Sequence, residues 1–239
     1  MKTTLKNIIT TAITLAAGVA FGQETHGDPY IPVGTLNVNQ NMVRTGVKPQ
    51  LSWNIDYPET VTDIVDLDSR SSVTTKKRTR VQMRVVGVAF QSGPTHLPVA
   101  FWSRIGGSGN PWQSLFYGKY DAVNPDVPVY DEIVEANTVI DFAGRGRTAG
   151  GGWYSVRWSL DTSPTCVALK NGDAFPDYAP AYNQGSIESF LSGYVSETNT
   201  AVLGPRDLIY LFECYSTNPG SSYFDLQDLV VVVTFHDVD

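Results

Sequence analysis

The sequence is poor in the residues that build metal, redox and catalytic centres. It contains two cysteines, Cys166 and Cys214, and three histidines, which lie far apart without paired ligand spacing. Because a zinc site requires spaced Cys or His pairs, we predict none. No Gly-x-Ser-x-Gly segment marks a nucleophilic serine either. The prediction is therefore a protein without a cofactor and without an enzymatic activity.

Basic residues are also scarce. Lys and Arg together number 17 against 24 Asp and Glu, and the formal net charge is −7. Nucleic acids and anionic membranes attract positively charged proteins. The charge balance therefore argues against both as partners.

The chain begins with a short basic segment and an apolar run. Lys2 and Lys6 precede an apolar stretch over residues 8–21, and small residues lie just before Gln23. These features predict a signal peptide over residues 1–22. The alternative is an uncleaved anchor, but the run is short and interrupted by threonines. No later segment is long enough to cross a bilayer as a helix, so we expect a secreted protein that is extracellular or at the cell surface, without membrane insertion.

An extended N-terminal arm is predicted over residues 23–49, which are polar, contain three prolines and lack helical periodicity. One interpretation is a leader that lies on the protein's own surface. The other is an arm for strand addition, in which Leu36, Val38 and Met42 occupy a groove on another subunit.

Residues 50–239 are predicted to form one domain built around a strand near the C-terminus. Every position from Leu229 to Phe235 is β-branched or bulky and apolar, which indicates a central strand buried on both faces. Earlier strands must return to flank it. With many short strands and frequent Gly and Pro turns, the fold class predicted is all-β, a single antiparallel β-sandwich that is jelly-roll-like.

Local patterns add detail to this sandwich. Alternation over residues 50–56 predicts a half-buried strand with Trp53 facing inward, and residues 61–67 predict another strand. Gly87, within the long strand over residues 78–90, predicts a bulge or a close approach. One short helix is predicted over residues 186–194 from its apolar spacing.

The two cysteines of an exported chain are expected to form a disulfide between Cys166 and Cys214. The alternative is two buried thiols. A glycine-rich segment over residues 144–152 resembles a phosphate loop, but a strand follows it where a helix is needed. We therefore predict a hairpin loop, whose Arg145 and Arg147 are available to pair with an acidic patch on a neighbour or a ligand.

Acidic side chains gather in two places, where solvated turns are the default interpretation. Calcium is the alternative, because carboxylate oxygens are its preferred ligands, although the EF-hand spacing is absent. The residues concerned are Asp63, Asp66, Asp68, Asp126, Asp131, Glu132 and Glu135.

Aromatic residues offer a different kind of site, because flat rings exposed on loops stack on sugar faces. Trp53 and Trp158 are expected in the core, since each occupies an inward position of its strand. Trp112, Tyr178 and Tyr182 lie in loop segments and are the predicted ligand-binding residues.

Three functions from different classes follow. The first is a structural or adhesive surface protein that self-assembles with copies of itself into an extracellular filament or matrix, with Arg78, Arg80 and Arg84 presented to an acidic partner. The second is a carbohydrate-binding module for a polysaccharide. The third, a secreted hydrolase, has no motif to support it.

Overall fold

The computed structural model describes residues 32–38, 51–176 and 188–238, and it carries side chains. The predicted signal peptide, Met42, Tyr178 and Tyr182 lie outside these ranges. In chain order the strands are β1 (Val33–Val38), β2 (Leu51–Asp56), β3 (Val65–Leu67), β4 (Val73–Thr75), β5 (Thr79–Gly87), β6 (Gln91–Ser92), β7 (Thr95–His96), β8 (Val99–Ile105), β9 (Gln113–Gly118), β10 (Tyr130–Val134), β11 (Val139–Gly146), β12 (Arg157–Trp158), β13 (Cys166–Lys170), β14 (Asp207–Phe212) and β15 (Leu229–Asp237).

These strands form two main antiparallel sheets. One has the order β10-β5-β15-β14-β13, and the other has the order β3-β4-β11-β8-β9, with β12 beside β11. The chain passes repeatedly from one sheet to the other, and the buried apolar side chains between the sheets form the main core. The predicted all-β sandwich is confirmed.

The valine-rich strand β15 is the centre of the five-stranded sheet, between β5 and β14. Its alternate residues Val231 and Val233 point into the main core, while Val230 and Val232 point into a second apolar cluster. That second cluster covers the outer face of the sheet with residues from the segment between β13 and β15. Both faces are therefore buried, as the unbroken apolar pattern predicts.

Gly87 lies both at a bulge and at a close approach between two segments, the two features predicted for it. The pairing of β5 with β15 is irregular opposite Gly87, where the register shifts between Val230 and Val231. A Cβ atom at Gly87 would lie 2.0 Å from the ring of Phe190, which packs over this part of the sheet. The glycine therefore permits the covering segment to approach the strand.

The described residues include three helical segments: α1 (Val61–Ile64) and two 3₁₀ helices, Tyr120–Ala122 and Glu188–Tyr194. The strand predicted over residues 61–67 is therefore only partly right, because its first four residues form α1 and only Val65–Leu67 form a strand. The backbone N–H of Thr60 donates to the Asp63 carboxylate at 2.8 Å, which closes one helical turn before β3 begins.

The segment predicted as the single short helix is the 3₁₀ helix Glu188–Tyr194. Leu191 is fully buried in the second apolar cluster, so this helix covers the outer face of the five-stranded sheet. The glycine-rich loop is shorter than predicted, because Gly144 and Arg145 belong to β11. Among the described residues, no helix is long and apolar enough to cross a membrane.

The expected disulfide is absent, since Cys166 and Cys214 are both free and buried. The β13–β14 register pairs Cys166 with Phe212, so Cys214 lies two residues beyond the directly opposed position. Directly opposed residues have the closest Cβ atoms, and diagonal neighbours are farther apart. Burial raises the pKa of both thiols, which makes them unreactive at neutral pH.

Candidate functional sites

The first candidate is a two-stranded hairpin formed by β1 and β2, called here the exposed hairpin. The register pairs Leu36 with Trp53, Val38 with Leu51 and Gly34 with Ile55. Because directly opposed residues share a face, one side of the hairpin is apolar. The other side carries Val33 together with Thr35, Asn37, Ser52 and Asn54.

The apolar side of the exposed hairpin is uncovered in the described part of the chain. Trp53 is 70% exposed and Leu36 is 63% exposed, and neither of the two apolar clusters contains a hairpin residue. The prediction of a half-buried strand with Trp53 in the core is therefore wrong. Alternation shows which side chains share a face, but not whether anything covers that face.

The arginines predicted to contact a partner are already engaged within the chain. Arg80 forms a two-pronged ion pair with Asp131 at 2.6 and 2.7 Å, and Arg78 pairs with Glu135 at 3.2 Å. Arg84 donates to the side chain of Gln82 at 2.6 Å. Two of the three charges are thus balanced internally, and a role in partner binding stays a prediction.

The second candidate is an aromatic–arginine face on the outside of the six-stranded sheet. Its members lie on β8, β11, β12 and the adjoining loops, and they form a continuous strip of rings and guanidinium groups. They are Trp102, Trp112, Trp153, Trp158, Arg145 and Arg147.

Strand register explains why these residues meet. The β8–β11 register pairs Ala100 with Arg145 and Trp102 with Ala143, and Ala143 is also paired with Trp158 of β12. Small alanines therefore lie between large outward side chains, which leaves room for the rings to spread across the sheet. Trp112 precedes β9 and packs against Trp158, with ring centroids 4.8 Å apart.

The guanidinium groups stack on the rings of this face. Arg145 lies 4.2 Å from the ring centroid of Trp153 and 5.2 Å from that of Trp102. Arg147 lies 5.8 Å from Trp153 and donates to the Tyr117 hydroxyl at 2.6 Å. Between the rings is an open cavity of about 250 Å³, lined by Trp102, Trp112, Arg145, Val156 and Trp158.

Part of this face follows from the sequence. The sequence predicts Trp112 as a ligand residue and Arg145 and Arg147 as partners of an acidic group, but it does not connect these features. Trp158 was expected in the core, yet it lines the outer cavity. Trp158 shares this cavity with Val156, while its chain neighbours Arg157 and Ser159 are buried, so the inward position expected of Trp158 is wrong.

The third candidate is a pocket of about 570 Å³ at one end of the sandwich, here called the acidic pocket. Phe90, Tyr154, Tyr215 and Tyr223 form a chain of edge-to-face rings along it. Asp225 and Asp228 also line it. A buried carboxyl group beside other carboxylates resembles a general acid–base site. The hydrogen bonds of these groups show whether they are placed for catalysis or for structure.

Those contacts hold a loop in place. The fully buried Glu213 accepts backbone N–H bonds from Tyr215, Ser216 and Asp225 at 2.7–3.1 Å, which fixes the loop between β14 and β15. Asp228 accepts the backbone N–H of Cys214 at 2.5 Å. Because Glu213 has no exposed surface and its oxygens are used by the backbone, the pair is placed to stabilise the loop.

The surroundings of the Asp228 carboxyl favour its protonated form. Burial raises the pKa of Asp228 well above the ordinary value, and the nearby Glu213 and Asp225 raise it further. In the unfolded chain an aspartate has a pKa of about 3.9, so above that pH folding is accompanied by proton uptake at Asp228. The contribution of this carboxyl to the free energy of unfolding is complete below that pH and is lost as the pH rises through the pKa of the folded protein.

We expect Asp228→Asn to flatten this pH dependence. Asparagine keeps the acceptor for Cys214 and supplies a donor towards Glu213, but it does not ionise. The variant should gain stability relative to the parent as the pH rises from 4 towards 8, by up to about 1.4 kcal/mol per pH unit. Urea unfolding across this range measures the difference.

The exposed Asp126 provides the matched control, because Asp126→Asn makes the same chemical change at the surface and should alter the free energy of unfolding by less than about 0.5 kcal/mol. If Asp228→Asn followed the parent at a constant offset, the Asp228 carboxyl would be ionised in the folded protein.

The acidic groups considered for calcium are mostly engaged otherwise. Asp66 pairs with Lys76 at 3.0 Å, and Asp68 accepts backbone N–H bonds from Arg70 and Ser72. Within the described ranges, no group of three or more His, Cys, Asp or Glu side chains is arranged to hold a metal ion.

Comparisons with family models, with curated proteins and with solved structures found no match. The function must therefore be argued from the three sites themselves.

Proposed function

We propose that this chain is a secreted structural subunit that assembles with copies of itself through the exposed hairpin. The observation that supports the proposal is the uncovered apolar side of that hairpin, with Trp53 and Leu36 largely in solvent. A two-stranded hairpin without a covering layer is only marginally stable in water. A partner that covers it would stabilise both the hairpin and the assembly.

Covering the apolar side of the hairpin supplies part of the driving force for association. Burying one large apolar side chain contributes about 1.5–3 kcal/mol. Leu36, Leu51, Trp53 and Ile55 are all at least 43% exposed, so covering them removes a large apolar area from water. Association also costs translational and rotational entropy, which opposes this gain. Several buried side chains are needed to offset that cost.

The hairpin is also arranged for strand addition. Among the described residues, β1 pairs only with β2, and β2 pairs only with β1. Within the described ranges no third strand lies beside this pair, an arrangement that suits strand addition. Pairing β1 of one copy with β2 of the next is a head-to-tail contact, which extends into a filament when it does not close into a ring.

We expect the double variant Leu36→Ser/Trp53→Ser to lose assembly without losing the fold. Sedimentation velocity across a wide concentration range and negative-stain electron microscopy of the parent should show large species or filaments. The variant should remain monomeric. Because the hairpin contributes nothing to either apolar cluster, the free energy of unfolding of the sandwich should change by less than about 0.5 kcal/mol.

Val127→Ser is the control, since it removes another exposed apolar side chain, which lies in the loop before β10. This variant should assemble like the parent. A parent protein that stays monomeric at the highest concentrations reached, or a double variant that still polymerises, would refute the proposal.

A second candidate function is carbohydrate binding by the aromatic–arginine face. The packed pair Trp112 and Trp158 beside an open cavity favours it, because such rings can stack on sugar faces.

A further inference from the structure

We infer that the aromatic–arginine face binds an acidic carbohydrate, one whose sugar rings carry carboxylate groups. The inference rests on the carbohydrate binding proposed above and is independent of assembly through the hairpin. It adds the chemical class of the ligand and the residues that select it.

Unbalanced positive charge on this face is the first observation. Arg104, nearby on β8, is ion-paired with Asp141 at 2.6 Å. Arg145 and Arg147, in contrast, have no carboxylate within ion-pairing distance in the described part of the chain. The chain as a whole is acidic, with a formal net charge of −7, so two uncompensated arginines side by side form a local exception.

The second observation is the environment of the Arg145 guanidinium group. Its Nε atom is buried and has no hydrogen-bond partner, although the group lies between Trp102 and Trp153. The rings hold the planar group in one orientation and reduce the entropy that a ligand must remove. An arginine fixed in this way is prepared to donate two parallel hydrogen bonds to a carboxylate.

Ring geometry is the third observation, and it points to a sugar in place of a simple anion. Trp112 packs against Trp158, and both rings line one cavity with Trp102. Arg145 joins Trp102 to Trp153, which is 39% exposed. Aromatic rings around an open cavity suit stacking on sugar faces, which a simple anion does not need. A neutral glycan would use the rings but leave Arg145 and Arg147 unpaired, whereas an acidic peptide would use the arginines without the rings.

The test uses the full-length protein and three probes of similar length: oligogalacturonate, a neutral cello-oligosaccharide and oligoglutamate. Intrinsic fluorescence reports on this face, because four of the five tryptophans of the chain lie on it and Trp53 is in the hairpin. Isothermal titration calorimetry gives the dissociation constants. We expect oligogalacturonate to bind at least about tenfold more tightly than either other probe, with weaker binding at high salt.

Variants assign the roles of the residues. Arg145→Gln should weaken oligogalacturonate binding by about tenfold or more, since a charge-assisted contact is lost. Arg145→Lys should restore only part of that loss, because lysine keeps the charge but not the planar fork. Trp153→Ala should weaken binding as well. Arg70→Gln, which removes an exposed positive charge elsewhere, should bind like the parent.

The possible results separate the two levels of the proposal. Equal binding of neutral and acidic sugars would overturn this inference and leave carbohydrate binding intact. Equal binding of oligoglutamate and oligogalacturonate would show that charge alone is recognised, which overturns the inference too. Binding of no sugar would refute both.

Discussion

The substitution Val231→Asp is expected to abolish the folded state of the sandwich. Val231 has no exposed surface and lies in the central strand, paired with Tyr210 on one side and Val85 on the other. Aspartate at this position places a carboxylate in the apolar main core, where it must either stay charged without a counter-ion or take up a proton. Either route costs several kcal/mol, which is comparable with the whole stability of a domain, about 5–15 kcal/mol.

Far-UV circular dichroism and urea unfolding at 25 °C measure this effect. Val127→Asp makes the same chemical change at a valine that is 54% exposed, and its free energy of unfolding should stay within about 0.5 kcal/mol of the parent. A milder change in the same strand, Leu229→Ala, should cost about 2–5 kcal/mol. A cooperatively folded Val231→Asp protein with the parent's midpoint would contradict the central position of β15.

A second large effect is expected from Asp141→Ala. Asp141 is 1% exposed on β11, and its side chain accepts two hydrogen bonds from Arg104 at 2.6 and 2.8 Å and one from Ser72 at 2.8 Å. The Arg104 side chain is itself only 13% exposed. Removing the carboxylate leaves a nearly buried guanidinium without its counter-ion, which should cost about 3–5 kcal/mol.

The exposed pair between Arg78 and Glu135 supplies the comparison. Glu135→Ala removes an ion pair whose side chains are both well exposed, so it should cost less than about 1 kcal/mol. The double variant Arg104→Met/Asp141→Leu should recover most of the stability lost in Asp141→Ala, because it removes both charges and keeps the apolar volume. Equal losses for Asp141→Ala and Glu135→Ala in urea unfolding would show that burial adds nothing to the Arg104 pair.

Arg104 also links this buried pair to the aromatic–arginine face. Its guanidinium lies 4.9 Å from the ring centroid of Trp112, while its charge is neutralised by Asp141, the residue directly opposite on β11. Loss of Asp141 should therefore disturb the position of Trp112 as well as the stability. The Arg145 and Arg147 end of the face is formed by other strand positions and should change less.

Several parts of the structure could be predicted from local patterns. The turn-rich β-pattern indicated the sandwich, and Gly87 was recognised as a bulge or close approach. Both are local consequences of composition, because side-chain shape and backbone freedom are properties of the residues themselves. The same reasoning failed at α1, where the bond between Thr60 and Asp63 outweighed a strand-like alternation.

The candidate sites depended on information that local patterns do not contain. Trp102 and Arg145 are neighbours only because β8 and β11 pair in one particular register. Trp53 follows the same alternation as a core strand, yet it is exposed because no layer among the described residues covers it. The predicted disulfide between Cys166 and Cys214 is wrong for a related reason. An oxidising compartment and a pair of cysteines favour a disulfide, but neither determines the strand register that places the two thiols.

By itself, the sequence determined that Leu229–Phe235 is a strand covered on both sides, because a run of β-branched apolar residues has no stable place in contact with water. Only the tertiary structure decided which other apolar faces are covered, which charges are balanced and which rings meet. These features depend on contacts between residues far apart in the chain, and those contacts are determined by the register of strand pairing and by the packing of the layers.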